Sequence, residues 1–385
     1  MARAEAAHNS QSANHSIDWW LLVAAMALLA FGLTMVLSSS AVMAERFYGS
    51  KYFFFQKQLV YAGAGLLVMC FISLMPRSLL YRLQYPALLG AVLLLIATLA
   101  VGPTINGAKR WLSVGPFTIQ PLEFTKIALV LYLSYFLSAK QELVKTFDRG
   151  VIPPFAVTMV LCLFLLAQPD FGGAAVLALI LFFMCLVGGT RLIYLIASAG
   201  LACASAWLLI VNSPYRSRRL LAFLDPFADA LGTGYQLVQS LYALGAGGVT
   251  GVGLGVGSQK LFFLPEAHND FIMAVVGEEL GFLGVTLVFA MMVAFFYRAF
   301  LVALRQEDLR DRLTAFGVTI ILALGATLNM AVVLGVAPPK GVPMPFLSYG
   351  GSSLLATLIC VGLLLNFSKG SSASGAGLQF IRGKR

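Results

Sequence analysis

Residues 84–102 read QYPALLGAVLLLIATLAVG, and residues 192–211 read LIYLIASAGLACASAWLLIV. Neither run holds a charged side chain, and each matches the roughly 20 apolar residues that a helix needs to cross a bilayer. Similar runs recur along the chain, at residues 19–38, 57–75, 84–102, 121–138, 152–168, 172–188, 192–211, 270–297, 313–336 and 350–367. The sequence therefore predicts an all-α, polytopic integral membrane protein with about ten transmembrane helices.

The composition agrees with this prediction. Of the 385 residues, 59% are hydrophobic and 11% are charged, whereas a soluble domain is usually about a quarter charged. The apolar runs are continuous rather than alternating, which excludes an outer-membrane barrel. The net charge of +10 comes from Lys and Arg in short clusters between apolar runs, so it does not indicate a nucleic-acid partner.

The longest connector covers residues 212–269 and contains no apolar run long enough to cross a membrane. We expect it to form a large extracytoplasmic loop between helices 7 and 8. Residues 19–367 are expected to form one ten-helix membrane domain. Residues 1–18 and 368–385 are expected to be cytoplasmic tails at its two ends.

The distribution of Lys and Arg predicts the orientation. With both termini inside, the inner segments hold 15 of these cations, and the outer segments hold 10, four of them in residues 212–269. Because the positive-inside rule counts short loops, the comparison is 15 to 6 and favours cytoplasmic termini. The six outer cations need another explanation, for which function is one candidate; they are Arg46, Lys51, Lys57, Lys109, Arg110 and Lys340.

Ionisable side chains within apolar segments are costly and therefore mark candidate functional sites. Glu123 and Lys126 lie three residues apart, so they share one face of a helix. Either they neutralise each other near the interface, or they form a charged cavity wall in which Lys126 faces a substrate phosphate. Asp170 follows a proline in a break between two spans. It either caps the next helix or faces the same cavity.

A second group of ionisable residues, Glu266, His268 and Asp270, lies at the mouth of the eighth span. Asp270 is placed where an aspartate often caps a helix. His268 is interpreted either as a hydrogen-bonded structural group or as a functional one. Glu278 and Glu279 lie deeper in the same span, and at least one of them is predicted to face the bundle interior.

The sequence contains no dedicated set of metal ligands or nucleotide-binding residues. Its five cysteines all lie in apolar stretches at spacings that fit neither a metal site nor a disulfide framework. The seven glycines in residues 245–257 fit neither a dinucleotide fingerprint nor a P-loop. They indicate tight or mobile backbone instead.

Six stretches, in order along most of the chain, together resemble the SEDS family of polytopic cell-wall polymerases. They are GAKRW at 107–111, QPLEFTK at 120–126, QPDFGG at 168–173, LDPFADALGTGYQLVQS at 224–240, LPEAHNDFI at 264–272 followed by GEELG at 277–281, and KGVPMPFLSYGGSS at 340–353. The details DPF, GYQL, LPEAH and Lys340 resemble the division branch of the family more closely than the elongation branch, which is the alternative.

The resemblance implies a peptidoglycan glycosyltransferase that polymerises lipid II at the outer face of the bacterial cytoplasmic membrane, at the division septum. It implies that Asp270 is catalytic, as the general base of an inverting displacement, although Asn269 stands where the family usually has Thr. Trp111 and Lys126 match positions of functional importance. The further candidates for substrate binding are Glu123, Asp170, Lys109, Arg110, His268 and Glu266.

The resemblance also implies partners: lipid II, membrane lipid, a class B penicillin-binding protein with transpeptidase activity, and divisome regulators. No cofactor is required, although a divalent cation, Mg²⁺ or Mn²⁺, held by phosphates and carboxylates stays open as an alternative. Two other classes of function also stay open. One is a flippase that moves lipid II without making a bond, and the other is a non-catalytic divisome scaffold.

Overall fold

The computed structural model describes residues 17–369 apart from 106, 116, 259–263 and 266. In this part of the chain, nine helices are long and apolar enough to cross a membrane, and the remaining predicted apolar run forms a shorter helix, Phe171–Val187. The predicted all-α polytopic class is confirmed. The helices are α1 (Trp19–Tyr48), α2 (Phe53–Leu74), α3 (Arg77–Arg82), α4 (Gln84–Val101), α5 (Pro121–Ala139), α6 (Ile152–Ala167), α7 (Phe171–Val187), α8 (Leu192–Val211), α9 (Pro214–Leu224), α10 (Tyr235–Gly247), α11 (Ile272–Leu304), α12 (Leu309–Val333) and α13 (Gly351–Ser368).

The connections between helices gather at two ends of the bundle. One end, which we call the loop-rich end, contains the described residues of the connections 49–52, 102–120, 168–170, 212–271 and 334–350. There Gln120 N–H donates to Ser352 Oγ (2.9 Å) and Tyr349 N–H donates to the His268 carbonyl (2.9 Å). The connection 102–120 includes an antiparallel hairpin of β1 (Leu112–Val114) and β2 (Phe117–Ile119). The other end, which we call the terminal end, holds the first described residues and the end of α13.

Helix α13 lies at the centre of the bundle. Every residue from Cys360 to Ser368 is buried, and small residues allow α2 to pack closely against it. A Cβ added to Gly362 would lie 2.8 Å from the Met69 carbonyl oxygen. By contrast, Leu195 is the one buried residue of α8, so α8 stands at the periphery of the bundle.

Partly buried ion pairs join the helices at the terminal end. Arg77 of α3 contacts Asp311 of α12 (2.7 Å), and the Tyr81 hydroxyl donates to the same carboxylate (2.5 Å). Arg298 contacts Asp18 (2.5 Å), which also caps α1 by accepting from Leu21 N–H (3.0 Å). These contacts fix the relative positions of helices that are distant in sequence.

Helix α11 is broken at Gly281, whose φ of 65° lies in the left-handed region. The glycine-rich segment 247–253, which we call the glycine wedge, inserts its backbone into the break. Val252 and Gly253 donate to the carbonyls of residues 278 and 279 (both 3.0 Å), and the amides of residues 282 and 283 donate to residues 248 and 249 (2.9 and 3.1 Å). The wedge thus supplies hydrogen-bond partners for two carbonyls and two amides that would bond to each other in an unbroken helix.

Candidate active site

A cavity of about 180 Å³ opens at the loop-rich end of the bundle. Its walls come from the start of α5, the turn before α7, the end of α8, helix α9, helix α12 and the connection 338–343. They contain four cations and two carboxylates, namely Arg110, Lys126, Arg219, Lys340, Glu123 and Asp170. Segments that are far apart in sequence therefore bring opposite charges together around one space.

Glu123 and Lys126 lie in the first turns of α5, which Pro121 begins at a position where a proline is favoured. The Lys126 ammonium contacts both carboxylate oxygens of Glu123 at 2.9 Å, and both residues are buried. The two alternatives drawn from the sequence therefore coexist, because this self-neutralising pair also lines the cavity. A phosphate entering the cavity would share Lys126 with Glu123.

Asp170 likewise combines its two predicted roles. Its carboxylate accepts from Gly173 N–H (3.0 Å) and so caps α7, while the residue lines the cavity. The Arg110 guanidinium donates to the neighbouring Pro169 carbonyl, and its buried Nε has no hydrogen-bond partner among the described residues. Arg110 therefore retains a donor at the cavity wall.

Lys340 also lines the cavity; the sequence marked it as an outer cation and as a detail of the division branch, but not as a site residue. Its ammonium lies 5.5 Å from the centre of the Phe171 ring. Burial lowers the pKa of Lys340, and the nearby Asp170 carboxylate opposes that shift. The cavity thus holds a cation that is partly stripped of water, a state in which its attraction for an anion is stronger than at the surface.

Asp270 lies in the turn before α11 and is not itself one of the residues that line the cavity. The cap residue of α11 is Phe271, so the interpretation of Asp270 as a helix cap is wrong. A Cβ added to Gly341, a cavity residue, would lie 2.9 Å from the Asp270 carboxylate. The Asp270 carboxylate therefore packs against the backbone of Gly341, at a place that a larger side chain would occupy.

The backbone around Asp270 is held by polar residues that sequence reasoning missed. Asn329 of α12 donates to the carbonyls of both Asp270 and Val342 (2.8 Å each). The Ser348 hydroxyl donates to the Asn269 carbonyl (2.6 Å). These bonds fix the 269–270 turn against the connection 338–349. The quoted motif at 340–353 was the available signal for Ser348, whereas Asn329 is an isolated amide within an apolar run.

Three other predicted site residues do not line the cavity. Lys109 donates to the Leu99 carbonyl at the end of α4 (3.2 Å), and Trp111 is half-buried just before β1. His268 packs against the rings of Phe54 and Tyr349, with centres 4.8 and 5.5 Å away.

The last two predicted features of the site are Glu266 and a bound divalent cation. Glu266 lies outside the described residues. Within the part of the chain that the structure describes, no three His, Cys, Asp or Glu side chains come together as a metal site. The described residues alone therefore form no such cluster, and a Mg²⁺ or Mn²⁺ ion held jointly by substrate phosphates and carboxylates stays a prediction.

Glu278 and Glu279 are both buried, which exceeds the prediction that at least one of them faces the interior. Glu278 accepts from the amide and hydroxyl of Ser258 (2.7 and 3.0 Å), and Glu279 accepts from the Ser38 hydroxyl (2.5 Å). Neither residue lines the cavity. Their contacts instead tie the first part of α11 to the glycine-rich connection and to α1.

Comparison with known proteins agrees with this architecture. The chain is 43% identical over 355 residues to a probable peptidoglycan glycosyltransferase FtsW of Trichlorobacter lovleyi, covering 92% of this chain and 93% of the relative. It is 39% identical over 358 residues to the stage V sporulation protein E of Bacillus subtilis, covering 92% and 97%.

Two solved structures share the fold. One is a chain of a peptidoglycan synthase complex that coordinates polymerization and crosslinking, with a TM-score of 0.76, 34% identity and coverage of 92% of this chain and 98% of that chain. The other is the rod shape determining protein RodA of Thermus thermophilus, with a TM-score of 0.69, 29% identity and coverage of 92% and 97%. Because the cell cycle protein family of FtsW, RodA and SpoVE also matches residues 19–373, this chain belongs to that family, as the SEDS resemblance predicted.

Proposed function

We propose that the chain is a division-type peptidoglycan glycosyltransferase that polymerises lipid II, with Asp270 as its general base. The observation that carries the proposal is the position of the Asp270 carboxylate next to Gly341, a residue that lines the same cavity as Lys126, Lys340 and Arg110. A base next to a cationic cavity suits the transfer of a sugar from a pyrophosphate leaving group. The naming of the relatives as FtsW supports the division role.

The acceptor in this reaction is a sugar hydroxyl, which is a weak nucleophile near neutral pH. A positioned carboxylate takes the hydroxyl proton as the oxygen attacks the anomeric carbon. Asp270 suits this task because Asn329 holds its backbone and Ser348 holds that of Asn269, while its carboxylate lies next to Gly341 of the cavity wall. Lipid II carries an α-linked pyrophosphate and the glycan is β-linked, so one inverting displacement is sufficient.

The departing pyrophosphate needs positive charge. Lys126, Lys340 and Arg110 supply it from three separate segments of the cavity wall, and fixed charges of this kind stabilise charge that develops in a transition state. Arg110 has a buried Nε with no hydrogen-bond partner among the described residues. Asp170 and Glu123 balance the cations when the cavity holds no phosphate.

The distribution of cations supports an orientation with cytoplasmic termini and with the cavity at the outer face of the membrane. A lipid-linked substrate reaches such a cavity from the bilayer. The relative in the peptidoglycan synthase complex acts where polymerization and crosslinking are coordinated. By analogy, we infer a class B penicillin-binding protein as the partner of this chain at the septum, together with divisome regulators.

The test is polymerisation of lipid II by the full chain, purified with its cognate transpeptidase after inactivation of the transpeptidase site. Wild type should produce glycan strands on a gel, and Asp270→Asn should produce none while it unfolds at the same temperature. Asp229→Asn is the matched control, since Asp229 is an exposed aspartate on the same connection that bonds locally to Thr233. Normal turnover by Asp270→Asn would exclude Asp270 as the base.

The same preparation separates the two alternatives. A flippase would move lipid II across vesicles without making strands, and a scaffold would retain its transpeptidase without either activity. A flippase also needs a polar path toward the terminal end. The deeper carboxylates of Glu278 and Glu279 are bonded to Ser258 and Ser38 and do not line the cavity, so we find no support for such a path in the described residues.

A further inference from the structure

We propose that the hairpin between α1 and α2 is a binding surface for the growing anionic glycan strand. Residues 45–57 read ERFYGSKYFFFQK, and they place aromatic rings and cations side by side at the loop-rich end. We call the surface formed by Phe47, Tyr48, Lys51, Tyr52, Phe53 and Lys57 the hairpin platform. The inference rests on the proposed function, since it assigns a place to the product of that reaction.

The aromatic rings of the platform form a surface that is partly exposed. Tyr48, the last residue of α1, stacks on Phe53, the first residue of α2, with ring centres 3.9 Å apart and an interplanar angle of 8°. Phe47, Tyr48 and Tyr52 remain 66%, 54% and 44% exposed. Flat rings that are fixed by stacking and still accessible suit the apolar faces of sugar rings.

Cations surround these rings. The Lys57 ammonium lies 4.5 Å from the centre of the Phe53 ring, and that of Lys51 lies 5.1 Å from the Tyr52 ring. Together with Arg46, they outnumber the one acidic residue of this segment, Glu45. The platform is therefore net positive, which complements the carboxylates of the peptide stems on a glycan strand.

A membrane-anchoring role would explain the rings but not the charges. Aromatic residues are enriched at both membrane interfaces, whereas Lys and Arg are disfavoured in short outer loops. Of the six outer cations left unexplained by the sequence, Lys109 binds a helix end, and Arg110 and Lys340 line the cavity. The remaining three all lie in the hairpin, so a binding role for the hairpin accounts for them.

The platform adjoins the segment that carries the proposed base. The Phe54 ring lies 4.8 Å from the His268 ring and 5.1 Å from the Tyr349 ring, and His268 is two residues before Asp270. The cavity reaches the same segment through Gly341. A strand extended at Asp270 therefore has a nearby surface outside the cavity on which to rest between additions.

The test is direct binding of a defined product. Labelled, lipid-free glycan oligomers with free pentapeptide stems are titrated against the full chain with its partner in nanodiscs. We expect the double variant Tyr48→Leu/Lys57→Gln to bind about tenfold more weakly than wild type, and Tyr48→Trp to retain binding because it keeps a flat ring. Tyr242→Leu is the matched control, since Tyr242 is 53% exposed in another aromatic pair of the loop-rich end.

Equal affinity of the double variant and wild type, with both folded, would overturn the proposal. So would loss of the transpeptidase from the double variant, because the surface would then serve a protein partner. A charge test uses oligomers with amidated stems, for which Lys57→Gln should make no difference. An equal loss of affinity for free and amidated stems would contradict the pairing with carboxylates.

The outcomes also separate this inference from the proposed function. In the polymerisation assay, the double variant should form the first bond at a rate close to wild type but release shorter strands. If wild type polymerises lipid II and does not bind the oligomers, the platform is wrong and the glycosyltransferase stands. If wild type binds the oligomers and makes no bond, the assignment of activity fails instead.

Discussion

Lys340 carries its charge into a wall of the cavity that is partly apolar. Its side chain runs past Gly172, where an added Cβ would lie 3.5 Å from the lysine Cδ, and its ammonium lies over the Phe171 ring. Burial lowers the pKa of this ammonium from its ordinary value of 10.5. The cost of desolvating Lys340 is tolerated at a place where an anion would restore the favourable interactions of the charge.

This lowered pKa makes the activity sensitive to alkaline pH. Only the protonated amine attracts the pyrophosphate, so polymerisation by wild type should decline as pH rises through the lowered pKa of Lys340. Lys340→Arg keeps its charge throughout this range and should remove that decline. Tyr349, whose pKa burial raises to about 12, stays neutral and does not contribute. The measurement is the initial rate of strand formation from lipid II as a function of pH.

Lys340→Gln provides the control for this prediction. It should lower the rate at neutral pH and show no alkaline decline, because it carries no proton to lose. An unchanged alkaline decline in both variants would assign the titration to another group. The thermal unfolding of each variant, measured over the same pH range, separates loss of activity from loss of folded protein.

At the scale of elements, the glycine wedge holds the first part of α11, which begins two residues after Asp270. The first part of α11 follows Asp270 directly, and its angle to the second part is set by the backbone bonds of residues 248, 249, 252 and 253. Glycine at position 251 is required for two reasons. Its φ is 79°, and an added Cβ would lie 2.2 Å from the Glu279 carbonyl oxygen.

Gly251→Ala should therefore disrupt the junction and lower both stability and activity. Gly255→Ala is a matched control, because Gly255 has a similar φ of 82° but no heavy atom within 4 Å of an added Cβ. Backbone strain alone costs about 1–3 kcal/mol, and Gly251→Ala adds a clash with a carbonyl that cannot move freely. The measurements are thermal unfolding in detergent and lipid II polymerisation.

We expect Gly255→Ala to retain most of its activity and Gly251→Ala to lose it, although Asp270 is present in both. Equal losses of stability and activity in the two variants would mean that left-handed backbone strain, rather than the fit of the wedge in α11, causes the loss. Retention of full activity by Gly251→Ala would show that the angle of α11 does not position the base.

The sequence predicted the helices well because the thickness of a bilayer dictates the length of an apolar run. It did not predict the break in α11, since the bonds that replace the helical ones come from residues about 30 positions earlier and depend on the tertiary fold. Glu123, Lys126 and Asp170 were found because charge in an apolar context is conspicuous, whereas Arg110 was found as an outer cation and through the family resemblance. Asn329 and Ser348 were missed because a neutral polar side chain in such a context is common.

On the scale of the whole molecule, the two ends of the bundle carry different kinds of polar contact. At the loop-rich end, the cations line a space that a substrate could enter, and the buried Nε of Arg110 has no hydrogen-bond partner among the described residues. At the terminal end, Asp311 is buried and accepts from both Arg77 and Tyr81. Charged side chains at the loop-rich end line the proposed substrate site, whereas those at the terminal end hold helices together.

This difference between the two ends predicts opposite effects of aspartate substitutions on stability and on activity. Asp311→Asn leaves the half-buried Arg77 without its counter-ion, at a cost between the less than about 1 kcal/mol of an exposed pair and the roughly 3–5 kcal/mol of a fully buried pair. It should lower the unfolding temperature while the folded fraction polymerises lipid II at the wild-type rate. Asp270→Asn should instead abolish polymerisation and leave the unfolding temperature unchanged.

Asp148→Asn is the control at the terminal end, because Asp148 pairs with Arg149 at 3.6 Å in an exposed position. This substitution should change the free energy of unfolding by less than about 1 kcal/mol. A loss of turnover in folded Asp311→Asn would show instead that the two ends are coupled through α12, which carries both Asp311 and Asn329.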